Sequence, residues 1–100
     1  MGHFALVYDV VSDFVRWRAP FREAHLQLLR EAHGRGFLVM SGPLGDPPDG
    51  ALLVFRAGSA APVEEFARAD PYVTEGLVTA WRVRAWNIVV GAEPAAPKAL

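Results

Sequence analysis

Four stretches of the chain are apolar on both of their faces, which is typical of strands in a sheet that is covered on both sides. They are residues 3–10, 37–41, 51–56 and 77–90. The last is expected to be one long strand or a strand with a bend, and Arg82 and Arg84 interrupt one of its faces. The pattern therefore predicts four strands.

The segment after the first strand repeats its apolar residues at the three- and four-residue spacing of a helix. We expect this helix from about Ala19 to His33, with Pro20 in its first turn, where proline is tolerated. Its buried stripe is predicted to hold Phe21, Ala24, His25, Leu28, Leu29 and Ala32. A histidine on this stripe is unusual and makes the helix the first place to look for chemistry.

A second helix is predicted after Ser59 or Ala60. One of its faces is expected to carry Val63, Phe66, Ala67 and Asp70. Asp70 precedes Pro71, a pattern typical of an N-cap followed by the first residue of a short helical turn. We expect that turn over residues 71–76.

The order β-α-β-β-α-β predicts an α+β, ferredoxin-like protomer, with a four-stranded antiparallel sheet and two helices on one face. The other face would be bare and apolar, so two protomers are expected to pair face to face as a dimeric α/β barrel. We predict one domain over residues 1–90 and an Ala/Pro-rich C-terminal tail over 91–100. We also expect the two helices to run in the same direction, with His25 mid-helix and Asp70 at a helix end, which leaves their contact open.

Composition supports a dimer and argues against several classes of function and partner. Hydrophobic residues make up 52% of the chain and charged residues 21%, which is more apolar surface than a small monomer easily buries. The net charge of −1 gives no sign of a nucleic-acid partner. Cysteine is absent, which excludes disulfides and thiolate catalysis. No apolar run reaches the roughly 18 residues of a membrane span and no signal peptide is recognisable, so a cytoplasmic location is expected.

Three motifs in this order and spacing resemble the YCII-related family. They are Arg22-Glu23-Ala24-His25-Leu26, Ser41-Gly42-Pro43, and Asp70-Pro71-Tyr72 followed by Gly76-Leu77. The likeness covers about residues 4–90 and implies a dimeric α/β barrel whose cleft holds a recurring histidine and aspartate. These correspond to His25 and Asp70. Relatives include lactone-isomerase-like and dehydrochlorinase-like enzymes, so no metal or organic cofactor is expected, although most members of the family have no assigned reaction.

Each candidate site residue also has a structural interpretation. His25 is either a general acid–base or a core histidine hydrogen-bonded to the backbone. Asp70 is either its partner or a helix cap, and one carboxylate can serve both roles. Ser41, Arg22, Tyr8 and Tyr72 are candidates for binding substrate. The structural alternatives are a residue that ends a strand for Ser41, a solvated arginine for Arg22 and core packing for Tyr8.

Two functions follow from these residues. The first is a cofactor-independent enzyme, isomerase- or lyase-like, that transfers a proton through His25 and Asp70 on a small organic substrate. The second is a non-catalytic module that binds a small molecule or a partner protein. His3 and His33 have no ligand partner at metal-binding spacing, so no metal site is predicted.

Overall fold

A computed structural model of the chain describes residues 1–91, with four strands and two longer helices. In chain order the elements are β1 (Gly2–Val10), α1 (Phe14–Trp17), a 3₁₀ turn (Ala19–Phe21), α2 (Arg22–Gly34), β2 (Leu38–Leu44), β3 (Gly50–Ala57), α3 (Ala61–Ala69), α4 (Pro71–Thr74) and β4 (Val78–Trp86). The predicted tail lies outside the described residues, apart from its first residue, Gly91.

The four strands form one antiparallel sheet in the order β2-β3-β1-β4, which confirms the predicted ferredoxin-like α+β fold. Because β1 and β2 are both antiparallel to β3, they run parallel to each other, and α2 returns the chain between them. By the same argument α3 returns the chain from β3 to β4. The two helices therefore run in opposite directions, and the expectation that they share a direction was wrong. The start of α2 and the end of α3 consequently lie at the same end of the sheet.

The hydrophobic core lies between the helices and one face of the sheet. Leu6 and Tyr8 on β1 oppose Leu53 and Ala51 on β3, and residues opposite each other in a ladder project from the same face. The buried cluster that fills this side includes Leu6, Tyr8, Leu53, Phe55, Val63, Phe66 and Ala67. The apolar face predicted for α3 is thus the face that packs on the sheet.

Helix α2 begins later than predicted. Pro20 lies in the separate 3₁₀ turn, and the α-helix starts at Arg22, so His25 belongs to its first turn. A proline lacks the amide donor that an inner helical turn needs, which explains why the regular helix begins after it. Ala24 is exposed, which corrects its placement on the buried stripe.

Strand β2 is longer than predicted and shifts its register. It continues through Pro43, which an edge strand tolerates because its outward amide needs no partner. Ser41 therefore lies inside the strand, and its expected place at the strand end was wrong. The register shifts by one residue between Leu38 and Met40. A bulge of this kind reverses the alternation of side chains, so Ser41, opposite Leu53, faces the helices.

None of the helices within residues 1–91 packs on the other face of the sheet. Its exposed apolar side chains include Met40 and Leu44 on β2 and Trp86 on β4, and 63% of Met40 is exposed. Strand β4 ends at Trp86, four residues before the predicted end. Arg82 and Arg84 interrupt this face, as the sequence pattern predicted. Within residues 1–91, no helix is long and apolar enough to cross a membrane.

Candidate active site

The topology brings three elements together at one end of the sheet. Tyr8 lies near the end of β1, His25 in the first turn of α2, and Asp70 directly after α3. Because α2 and α3 are antiparallel, the start of one reaches the end of the other. The contact that the sequence left open is present, with His25 Nδ1 lying 2.8 Å from Asp70 Oδ1.

Asp70 is fully buried and accepts hydrogen bonds from both sides of its carboxylate. Oδ1 accepts from the Tyr72 backbone amide at 3.0 Å, the N-cap bond of α4, and it also contacts His25. Oδ2 accepts from the Tyr8 hydroxyl at 2.7 Å. A buried carboxylate is costly unless it is hydrogen-bonded, and three partners offset that cost. The capping role and the pairing with His25 are therefore both present in one side chain.

The position of Asp70 follows from the local sequence. A residue before proline favours an extended backbone, and Asp70 has φ −68° and ψ 124°. That conformation ends α3, while Pro71 begins α4 at the position where a helix needs no amide donor. The Asp-Pro-Tyr sequence thus turns the carboxylate inward and places the Tyr72 amide to bond it.

His25 is held on two sides. Its ring stacks on the ring of Tyr72 with centroids 3.8 Å apart and an interplanar angle of 14°. Its Nδ1 faces the Asp70 carboxylate, so the neutral imidazole carries its proton on Nδ1 and donates it. Nε2 makes no hydrogen bond to any residue from 1 to 91, and 12% of the side chain is exposed. The ring therefore presents an unshared lone pair while its orientation is fixed.

Both tyrosines of this site have raised pKa values. Burial is the main cause of the raised pKa of Tyr8, and the negative charge of Asp70 and the hydrogen bond to it add to the shift. Burial likewise raises the pKa of Tyr72, although Arg18 and Arg22 nearby lower it. Because its pKa is raised, the Tyr8 hydroxyl remains a proton donor to Asp70 throughout the neutral range.

A pocket of about 100 Å³ adjoins the histidine. It is lined by Tyr8, Phe14, Arg18, Arg22, His25, Leu26, Leu29, Ser41, Gly42, Pro43, Ala51, Leu53 and Tyr72. Five of the six predicted site residues therefore border one pocket, and the sixth, Asp70, lies behind His25. The bulge in β2 accounts for Ser41, which would otherwise project from the opposite face of the sheet.

Phe14 and Arg18 border this pocket and were not predicted as site residues. The Phe14 and Tyr72 rings form a T-shaped pair, with centroids 5.2 Å apart and an interplanar angle of 87°. The Arg18 guanidinium lies 5.5 Å from the centre of the Phe14 ring. One signal was available in the sequence, because Arg18, Arg22 and His25 have the i, i+4, i+7 spacing of one helical face. The break at Pro20 obscured it.

A family model described as the YCII-related domain matches residues 1–87. The chain belongs to the YCII-related family. No curated protein matches this YCII-related chain.

Solved structures share the fold of this YCII-related protein. One is 5-chloro-2-hydroxyhydroquinone dehydrochlorinase (TftG) from Burkholderia phenoliruptrix AC1100, in complex with 2,5-dihydroxybenzoquinone. It is 24% identical with a TM-score of 0.71, and the match covers 85% of this chain and 93% of that one. A second is an antibiotic biosynthesis monooxygenase-like protein from Deinococcus radiodurans, 15% identical with a TM-score of 0.54, covering 93% of this chain and 97% of that one. Both have the ferredoxin-like fold of the dimeric α/β barrel proteins, which this protomer shares.

Proposed function

We propose that this YCII-related protein is an enzyme that moves a proton on a small organic molecule, with His25 as the acid–base group. The observation that carries the proposal is the 2.8 Å contact between His25 Nδ1 and the buried Asp70 carboxylate, beside a pocket. A carboxylate on one ring nitrogen holds the tautomer that leaves the other nitrogen as a base, and it stabilises the imidazolium formed when the base accepts a proton.

The reaction class that fits is isomerisation or elimination. His25 Nε2 takes a proton from the substrate and becomes an imidazolium. In an isomerisation this proton returns to a different substrate atom. In an elimination a leaving group departs with its electron pair, and the proton passes to solvent. The imidazole is itself the proton carrier, so the proposal needs no metal or organic cofactor.

The roles of the surrounding residues follow from their contacts. Asp70 is a positioning residue, and Tyr8 supports it because the Tyr8 hydroxyl is directed at Asp70 Oδ2. Tyr72 supplies the surface on which the imidazole stacks. Arg22 and Ser41 border the pocket and are proposed to contact substrate.

The test is a turnover assay with matched histidine variants. TftG, which shares the fold, is named for acting on a halogenated hydroquinone, so chlorinated hydroquinones and small lactones are the first substrates to screen. We expect His25→Ala to lower kcat by at least about a hundredfold, the usual contribution of general acid–base catalysis. His33→Ala is the control, since His33 is an exposed histidine in the last turn of the same helix.

The outcomes separate the two functions. Activity retained in His25→Ala, with the fold intact by circular dichroism, contradicts the proposal. Saturable binding of a ligand in the pocket without turnover of any screened substrate supports the non-catalytic binding module instead.

We also propose that two copies pair through the bare sheet face. The face exposes Met40, Leu44 and Trp86, and a shallow groove of about 260 Å³ runs between these side chains over Leu52 and Val54. Both structural neighbours have the fold of the dimeric α/β barrel proteins. The homodimer is therefore the arrangement that covers this apolar surface. The cytoplasmic location expected from the sequence stays a prediction.

Sedimentation tests the pairing. The wild-type protein should sediment at about twice the 10.9 kDa mass of the chain, and Trp86→Glu should shift it toward the monomer because a buried unpaired carboxylate is costly. A wild-type monomer at micromolar concentration contradicts the dimer.

A further inference from the structure

Two arginines at the pocket are not neutralised by any acidic side chain. Arg18 and Arg22 both border the pocket, and neither forms an ion pair with a residue between 1 and 91. Arg30 on the same helix differs, since its guanidinium lies 3.1 Å from the Glu23 carboxylate. The acidic residue of the first turn of α2 is thus paired with Arg30, and the pocket keeps two uncompensated positive charges.

The Asp70 carboxylate behind His25 does not pair with either arginine. The Asp70 carboxylate is fully buried and already accepts from Tyr8, from the Tyr72 amide and from His25. Its negative charge is therefore shared among donors behind the imidazole. The guanidinium groups of Arg18 and Arg22 border the pocket itself, whereas the Asp70 carboxylate lies behind His25.

Arg18 lies against an aromatic group that borders the pocket. Arg18 lies over Phe14, the Phe14 and Tyr72 rings pack nearly perpendicular to each other, and Tyr72 stacks on His25. Arg18 and Arg22 also lower the pKa of Tyr72, opposing the effect of burial, so their positive field reaches the Tyr72 phenol. The pocket therefore combines flat apolar surfaces with a positive edge.

We propose that Arg18 and Arg22 form an anion subsite, which binds the carboxylate or the enolate-type oxygen of a small planar molecule whose apolar part lies against Phe14 and Tyr72. Arginine is suited to this task because its planar guanidinium donates two parallel hydrogen bonds to one anionic group. The inference rests on the proposed function, since it assigns the substrate class of the same pocket. It adds a second role, because the positive edge also stabilises negative charge that develops when His25 removes a proton.

Benzoate and benzamide are the matched probes, because they have the same size and shape and differ in charge. Titration calorimetry at pH 7.5 should show wild-type protein binding benzoate at least about tenfold more tightly than benzamide, as expected for charge-assisted hydrogen bonds. Arg22→Gln and Arg18→Met should each weaken benzoate binding by roughly tenfold while leaving benzamide unchanged. The methionine retains an apolar stem over Phe14. Arg30→Gln is the control, since it removes the same charge from α2 outside the pocket.

Two results overturn the subsite. One is equal affinity of the wild-type protein for benzoate and benzamide. The other is an equal loss of benzoate affinity in Arg30→Gln and in Arg22→Gln. 4-Nitrophenolate identifies the anion class. If the wild-type protein binds it more tightly than benzoate and Arg22→Gln removes that preference, the subsite takes an enolate-type oxygen; the opposite preference indicates a carboxylate. His25→Ala separates this inference from the proposed function. If the subsite is real and the acid–base proposal is wrong, benzoate binding keeps its arginine dependence while turnover is independent of His25.

Discussion

The hydrogen bond from Tyr8 to Asp70 gives the sharpest test of how the site is built. Tyr8→Phe removes one hydroxyl from a ring that is 1% exposed, and it leaves Oδ2 of a fully buried carboxylate without its 2.7 Å donor. A hydrogen bond to a charged group contributes about 1.5–3 kcal/mol, and a buried acceptor left without a partner bears this loss in full. We therefore expect the free energy of unfolding to fall by about 2 kcal/mol.

The chain contains a matched control for this substitution. Tyr72 is its only other tyrosine, and the Tyr72 hydroxyl makes no hydrogen bond within residues 1–91. Tyr72→Phe retains the backbone amide that bonds Asp70 and the ring that stacks on His25. Its effect should stay within about 0.5 kcal/mol, as for substitutions that break no specific contact.

Urea and thermal unfolding, followed by circular dichroism at one protein concentration, measure both variants. For a domain of this size, about 2 kcal/mol lowers Tm by roughly 8–16 °C. The urea slope m should not change, because the surface exposed on unfolding is the same. A Tyr8→Phe protein as stable as Tyr72→Phe would refute the reasoning that Asp70 depends on this donor.

Two further predictions concern alkaline pH and a turn glycine. Because the pKa values of Tyr8 and Tyr72 are raised in the folded state, their contribution to stability is complete below about pH 10 and is lost as the pH rises further. Tyrosinate absorbance near 295 nm should therefore develop above pH 10, and the part that belongs to Tyr8 should appear only as circular dichroism reports unfolding. Titration of both tyrosines near pH 10 in the folded protein would contradict this. Gly76→Ala should lower the free energy of unfolding in urea by about 1–2 kcal/mol, because Gly76 has φ 82° and an alanine is strained there. Gly34→Ala, at the end of α2, should leave that free energy unchanged or raise it slightly.

Local chemistry in the sequence predicted several features that the structure bears out. Asp70-Pro71 predicted a cap, because an extended residue before proline and a free first turn are properties of those two residues alone. The apolar spacing on α3 identified its buried face, since helical periodicity places those residues on one side of the helix. Ala24 shows the limit of this reasoning, because it is exposed although it lies beside the covered residues of the same helix. Periodicity gives the direction of a covered face and leaves its width undetermined.

The site itself depended on features that no local pattern contains. The direction of α2 relative to α3 follows from the strand order, and only opposite directions bring His25 and Asp70 within 2.8 Å. The one-residue bulge in β2 decided that Ser41 faces the helices, because side chains alternate and one extra residue reverses them.

The sequence by itself thus determined the fold class and the buried face of α3, and it singled out His25 and Asp70 as the candidates for proton transfer. Only the tertiary structure decided that they touch, that Tyr8 completes the hydrogen bonds of the carboxylate, and that Arg18 joins Arg22 at the same pocket. The physical reason is one of range. Periodicity and capping act over a few residues, whereas Tyr8 and Asp70 are 62 residues apart and meet only because the sheet order brings their strand and helix ends together.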